Sequence, residues 1–316
     1  MKESKSNLAR IWEDAGMPLL FLVLFAGVSL FVPDFFSWIN MKGLALSVAT
    51  VGIIACTMML CLAGGDFDLS VGSVVALAGV LAAVVTNQTG SVNLGIAAAT
   101  LAGGLVGLVN GFVIARIGIN ALITTLATMQ IVRGLAYLVS DGKAVGVRES
   151  GFFALGITSV FGVPMPVLIM IVCFVVFGLL LNRTIFGRNT LAMGGNREAA
   201  RLAGIGVVST KVIIFTLQGL MSGFAGVILA SRMTSGQPTT AQGLELQVIS
   251  ACVLGGVSLT GGVAAISGVV VGVLIMGTVQ NAMNLLNMPP FYQYVASGVI
   301  LLTAVLCDRF RHRWAE

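Results

Sequence analysis

LALSVATVGIIACTMMLCLA, residues 44–63, runs for twenty residues without a charged side chain and stops against GGDFDLSVGS, residues 64–73. A helix needs about 20 mainly apolar residues to cross the hydrocarbon core of a bilayer, so the first run reads as a membrane span and the second as the break that ends it. Similar apolar windows fall near 17–32, 71–86, 92–115, 121–139, 163–181, 211–230, 263–285 and 290–306, with a tenth, shorter block at 244–254. Composition points the same way. The 316 residues are 57% hydrophobic and 9% charged, with a mean hydropathy of +1.03, whereas a soluble domain carries about 25% charged residues. The chain therefore reads as an all-α membrane protein, a polytopic helical bundle of about ten transmembrane segments. Its expected divisions are an N-terminal segment 1–16, a transmembrane domain 17–306 containing a polar loop at 182–211, and a basic tail 307–316.

Charge fixes the expected orientation. Lys and Arg gather in the N-terminal segment (Lys2, Lys5, Arg10), the central loop (Arg183, Arg188, Arg197, Arg201, Lys211) and the tail (Arg309, Arg311, Arg313). The positive-inside rule puts all three in the cytoplasm. Ten crossings satisfy this parity, leaving Lys42, Lys143, Arg148 and Arg232 outside. The N-terminus shows no small-residue cleavage site, so the first block is expected to stay as a span rather than act as a signal peptide.

Several function classes drop out. The single histidine, His312, lies in the tail, which removes His-based zinc sites and Ser-His-Asp triads from the membrane region. The five cysteines form no C-x-x-C pair and signal neither a disulfide framework nor a redox motif. No G-x-x-x-x-G-K-[ST] occurs, so this polypeptide lacks a phosphate loop of its own. No interleaving of basic and aromatic residues suggests nucleic acid.

Glycines spaced by four, at 103, 107 and 111, at 219 and 223, and at 268 and 272, place small residues on single helix faces where backbones can approach closely. Residues 64–80 also resemble 255–270 if one position is skipped, which suggests a parallel internal repeat.

The segment 62–73 is the first unusual feature. Asp66, Asp68 and Ser70 have calcium-loop spacing, but Val71 and Leu77 stand where Gly and Glu are needed. The better reading is a Gly64-Gly65 break after which Asp68 or Ser70 caps the next helix. It is either a capped boundary turn or a gate in a pathway, with Gly255-Gly256 as its counterpart. Arg133 lies inside an apolar span, where an unpaired Arg costs about 2.5–3.5 kcal/mol. A partner is expected, Glu245 first and Asp141 as competitor. In the central loop, Asn196 can cap a short helix that Gly204 ends, leaving Ala199, Ala200, Leu202 and Ala203 between basic residues.

Glu198-Ala199-Ala200 followed by Gly204 resembles the EAA loop of permease subunits in ATP-binding-cassette importers. GGDFDLSVGS, INALITTLATMQIVRGLAY at 119–137, FGRNTLAMGGNREAARLAGI at 186–205 and SACVLGGVSLTGG at 250–262 together resemble the monosaccharide (ribose, xylose and arabinose) branch of those permeases. SDGKAVG at 140–146, ASRMTSGQP at 230–238 and NAMNLLN at 281–287 resemble its L-arabinose members most. Phe67 stands where sugar permeases commonly carry Ile, a departure the arabinose members share.

The resemblance implies a transport subunit of the bacterial inner membrane, not an enzyme, that works by alternating access. It implies a homodimer whose interface holds the pathway, separate ATPase subunits that carry ATP and Mg, and a periplasmic sugar-binding protein. No cofactor is then expected on this chain. Asn196, Arg197, Glu198, Ala199, Ala200, Arg201 and Gly204 would form the ATPase-coupling helix, and loops 140–162 and 232–243 the binding-protein surface. A neutral sugar offers hydroxyls and an apolar ring face, so Gln130, Gln218, Gln280, Asn281 and Asn284 qualify as pathway lining by residue type, although each also suits an interhelical hydrogen bond. The rival reading is an ion-gradient-driven sugar transporter or facilitator, for which Asp66 and Asp68 are the close acidic pair.

Overall fold

The computed structural model describes residues 7–313; Lys2 and Lys5 and the last three residues of the tail lie outside the described residues. Thirteen α-helices occur among those described: α1 (Asn7–Phe31), α2 (Trp38–Ala63), α3 (Val71–Thr89), α4 (Val92–Phe112), α5 (Ala121–Ser140), α6 (Ala154–Ile157), α7 (Met165–Arg183), α8 (Ile185–Gly195), α9 (Arg197–Leu202), α10 (Val207–Met233), α11 (Leu244–Leu254), α12 (Ile266–Leu285) and α13 (Pro290–Arg313). A π-helical stretch, Val113–Ile117, extends α4. Two-residue strands form two small antiparallel pairs: β1 (Val145–Gly146) with β4 (Ser235–Gly236), and β2 (Ser159–Val160) with β3 (Val163–Pro164).

Every apolar block is helical, but the ten are not equivalent. Among the described residues seven helices are long and apolar enough to cross a membrane, while Gly16–Phe31, Leu244–Leu254 and Phe291–Leu306 are shorter apolar stretches. At 1.5 Å per residue α11 is about 16 Å long, roughly half a hydrocarbon core. The central 182–211 region is not a plain loop either. Thr184 accepts a hydrogen bond from the Gly187 N–H and starts α8, and Lys211 lies within α10.

Glycine sets the packing. The stripe at 103, 107 and 111 on α4 lies against Gly219, Gly223, Phe215 and Val212 of α10, so close that a methyl at any of the three would strike backbone. On α12, Gly268 and Gly272 lie equally close to Ala251 of α11 and to Gly255, the residue that caps it. These contacts bring α10 into the middle of the bundle, beside α2, α3 and α4, where Ile214, Phe215, Ala225 and Ile228 are buried.

The two glycine pairs fold alike. After α2, the N–H groups of Gly64, Gly65 and Asp66 donate to the carbonyls of Leu60, Leu62 and Cys61. After α11, those of Gly255, Gly256 and Val257 donate to Ala251, Val253 and Cys252. This is the same C-terminal helix motif twice, with Gly65 at φ +79 and Gly256 at φ +83, a left-handed conformation that glycine adopts without steric cost.

Candidate functional site

The first break turns back into the bundle after Gly65, because the Asp66 N–H donates to Cys61 and reverses the chain. Burial then demands that its charges find partners. The Asp66 carboxylate forms an ion pair with Lys211 of α10; the two side chains are 14% and 6% exposed. Lys211 was expected to be one of the cytoplasmic loop charges, but it is a buried counterion.

Asp68 is also buried, and its Oδ1 accepts from the Ser70 N–H at 2.8 Å and the Ser70 hydroxyl at 2.6 Å. Ser70 precedes α3 yet its side chain makes no capping bond. The capping expectation is corrected for Ser70, whereas Asp68 does take a free N–H at the helix start, that of Ser70, and both side chains join a network that crosses the bundle. Asn110 of α4 donates to Ser70 Oγ at 3.1 Å, and Thr128 of α5 donates to Asn110 Oδ1 at 2.6 Å. Break, α4 and α5 are tied together by one polar chain. Asn110 and Thr128 carried no motif signal, since a single amide or hydroxyl in an apolar span is unremarkable until its partner is known.

Arg133 is corrected as well. Its guanidinium donates to the carbonyls of Pro238 and Thr240 at 2.7 and 2.8 Å; no ion pair joins it to Glu245 among the described residues, although the two charges attract at longer range. Asp141 lies instead at the exposed end of α5, beside Lys143 at 3.8 Å. The physical reason is geometric, because the turn ahead of α11 passes beside α5 and brings the carbonyls of Pro238 and Thr240 to the guanidinium before the carboxylate comes within reach. Glu245 faces another way, its carboxylate and the Ala241 carbonyl lying against the bare backbone of Gly72 in the first turn of α3. So only the start of the expected 232–243 surface loop lies at the end of the bundle, where β4 pairs with β1.

The proposed lining residues do not converge. Asn281 of α12 exchanges two hydrogen bonds of 2.8 Å with Asn40 of α2, which makes it an interhelical clamp. Asn284 accepts from Gln293 at 2.7 Å. Gln218 is fully buried on α10, with neither amide atom paired to protein. Gln280 is half-buried, and Gln130 is exposed on α5.

At the end bearing Arg116, Arg183, Arg188, Arg197 and Arg201, a pair of helices projects. Asn196 accepts from the Ala199 N–H at 2.9 Å and starts α9; Gly204, at φ +82, follows its end. Ala200 is buried, while Arg197, Glu198, Ala199 and Arg201 are exposed and Leu202 is 79% exposed. Glu198 and Arg201 pair at 3.6 Å. Just before α9, Gly194 lies where a methyl would strike the Ala63 carbonyl, the last of α2. That carbonyl accepts the Gly262 N–H at 2.9 Å, and Gly261 in turn abuts Gly194. One joint of bare backbone thus connects α8 with the end of α2 at the first break and with the loop at Gly261-Gly262 that follows the second, a contact that no sequence spacing reveals.

Residues 40–305 match the family model described as branched-chain amino acid transport system / permease component. The L-arabinose transport system permease protein AraH of Escherichia coli (strain K12) is 62% identical over 311 residues, covering 98% of this chain and 95% of the relative. An L-arabinose ABC transporter permease protein AraH of Azospirillum brasilense is 61% identical over 94% of this chain and 88% of its own. The ribose import permease protein RbsC of Bacillus subtilis (strain 168) is 40% identical over 98% of this chain and 96% of its own. No solved structure matches the chain.

Proposed function

Because this chain belongs to the family of branched-chain amino acid transport system permease components, with full-length relatives that are sugar permeases, we propose that it imports L-arabinose. It is the membrane-spanning subunit of an ATP-binding-cassette importer, a multi-pass protein of the inner membrane that works with an ATPase subunit and a sugar-binding protein. The observation that carries the substrate is identity: 62% with an L-arabinose permease against 40% with a ribose permease, each over 98% of the chain. The family description names amino acids, but relatives aligned end to end discriminate more finely than a family model.

Two copies of the chain surround the pathway, and ATP and Mg stay on the ATPase. Both termini lie in the cytoplasm, which the basic flank of α8 and α9 supports. The exposed face of α9 is the ATPase contact, and the domain divisions 1–16, 17–306 and 307–316 follow from this orientation. Closure of the ATPases pushes α9 and α8. The Gly194 joint passes that displacement to the turns at Gly64-Gly65 and Gly255-Gly256, which act as the gate, in a rigid-body alternation of access.

Competition tests the substrate. In cells whose arabinose uptake depends on this chain and its partners, unlabelled L-arabinose should displace labelled L-arabinose at lower concentration than ribose, xylose or galactose. Ribose competing better would move the chain to the ribose branch. Coupling has its own test. Glu198→Lys reverses a charge on α9, and Gly204→Val places a branched side chain at φ +82, a strained conformation for it. Either should lower sugar-stimulated ATP hydrolysis about tenfold while membrane insertion is retained, and full stimulation in both variants would contradict the role given to α9.

A further inference from the structure

A groove of about 440 Å³ runs between α7 and α12 on the outside of the bundle. Its lining is ordered by polarity. Phe174 and Val175 of α7 and Val270 of α12 line one end, Asn182, Arg183 and Ser267 the other, with Leu179 between. Phe174 and Arg183 are about 14 Å apart along α7. Up to Leu179 every exposed residue of α7 from Ile171 onward is apolar, as acyl chains require, whereas the last two, Asn182 and Arg183, are exposed and polar. The helix thus leaves the hydrocarbon within its last turn, at the end of the bundle that carries the other arginines.

The polar end of the groove offers donors and no acid. Among the described residues Asn182, Arg183 and Ser267 make no side-chain hydrogen bond or ion pair, in contrast to Arg201 and Lys211, which pair with Glu198 and Asp66. The start of α12 adds to them. Ile266 packs on Gly178 of α7, which brings the first turn of α12 to about 8 Å from Arg183 along the α7 axis. That turn has no side-chain cap and no acidic residue. Its helical ladder begins with the Val269 N–H, which donates to Ala265, so the N–H groups before it have no partner within the helix. They form the positive end of a 20-residue helix.

We propose that the groove holds an anionic phospholipid, its phosphate at Arg183, Asn182 and the first turn of α12 and an acyl chain against Phe174, Val175 and Val270. A guanidinium matches a phosphate with two parallel hydrogen bonds, and a helix N-terminus supplies further donors. Basic pockets between membrane helices take acidic headgroups in the same way. The charge balance selects the lipid. One cation and no acid line the groove, so a phospholipid with a net negative charge is matched, whereas the ammonium of phosphatidylethanolamine finds no carboxylate. Both walls lead on to moving parts, because α8 starts two residues after Arg183 and Gly268 of α12 lies against Gly255. The inference uses the membrane location alone and stands whichever substrate is carried.

Lipid titration of the purified full-length chain in detergent, read by native mass spectrometry and by thermal unfolding, tests it. Phosphatidylglycerol should fill one saturable site and raise the melting temperature, with phosphatidylethanolamine at least fivefold weaker. Arg183→Gln removes the charge and Val270→Trp fills the apolar end; each should weaken phosphatidylglycerol at least fivefold. Arg188→Gln removes an exposed charge of α8 outside the groove and should leave binding within twofold. Equal weakening by Arg183→Gln and Arg188→Gln would overturn the site in favour of diffuse surface charge. Equal binding of the two lipids would overturn the anionic assignment, and equal stabilisation by inorganic phosphate would remove the acyl chain from it. Absence of a saturable site would overturn the proposal, and a monomer–dimer balance shifted by Val270→Trp would then give the groove to a second copy. Should Val270→Trp fail to fold, Leu179→Trp on the other wall gives the steric reading.

Discussion

Lys211→Ala is expected to deplete the folded protein severely. It strands the Asp66 carboxylate inside the bundle, where both partners are largely excluded from solvent, and breaking a buried ion pair by removing one partner costs about 3–5 kcal/mol. Against a total stability of order 5–15 kcal/mol, that leaves little margin. Asp66→Ala should behave in the same way. The double variant Asp66→Asn, Lys211→Met removes both charges, and such replacements of buried pairs are often neutral or stabilising, so its monodisperse yield should return towards that of the unmodified chain. Thermal unfolding followed by size-exclusion chromatography in detergent reads all three. A single variant melting with the unmodified protein would mean that the pair does not hold the break.

Gly194→Ala is the second large effect, and it falls on activity. The added methyl meets the Ala63 carbonyl and the Gly262 N–H, both of them backbone, so no side-chain rotation relieves the clash and α8 must move away from the end of α2 and from the loop at Gly262. Uptake is expected to fall tenfold or more with the ATPase still bound. The next residue provides the control, because a methyl on Gly195 comes no nearer than 4.0 Å to the Gly262 Cα; Gly195→Ala should keep uptake within twofold. Uptake measured alongside copurification of the ATPase separates a broken joint from a lost subunit. Equal activity in the two variants would remove the joint from the mechanism.

What could be read from the sequence follows from how local each feature is. The span at 44–63 is a matter of composition, and the Gly64-Gly65 turn needs only a residue that tolerates positive φ. The Asn196 cap and Gly204 terminus of α9 are set within nine residues. The EAA-like order around Glu198 carried the family resemblance, and the full-length relatives agree with it. By contrast, Lys211 looked like a loop charge because nothing near it in sequence reveals that Asp66, 145 positions earlier, folds back beside it. Arg133 departs from its sequence reading for a related reason: opposite charges are visible in a sequence, whereas the carbonyls of Pro238 and Thr240 that bind it are not. Depth is the least legible property. The resemblance puts 232–243 on the binding-protein surface, and only the packing of the Ala241 carbonyl against Gly72 takes the later part of that loop inside the bundle.

Reconstituted uptake tests the central claim most directly. Proteoliposomes containing this chain with its ATPase and sugar-binding protein should accumulate labelled L-arabinose only when all three proteins and ATP on the ATPase side are present, and omission of any one should abolish accumulation. Accumulation by this chain alone, following a proton or sodium gradient, would contradict the account and turn Asp66 and Asp68 from a structural break into the coupling site.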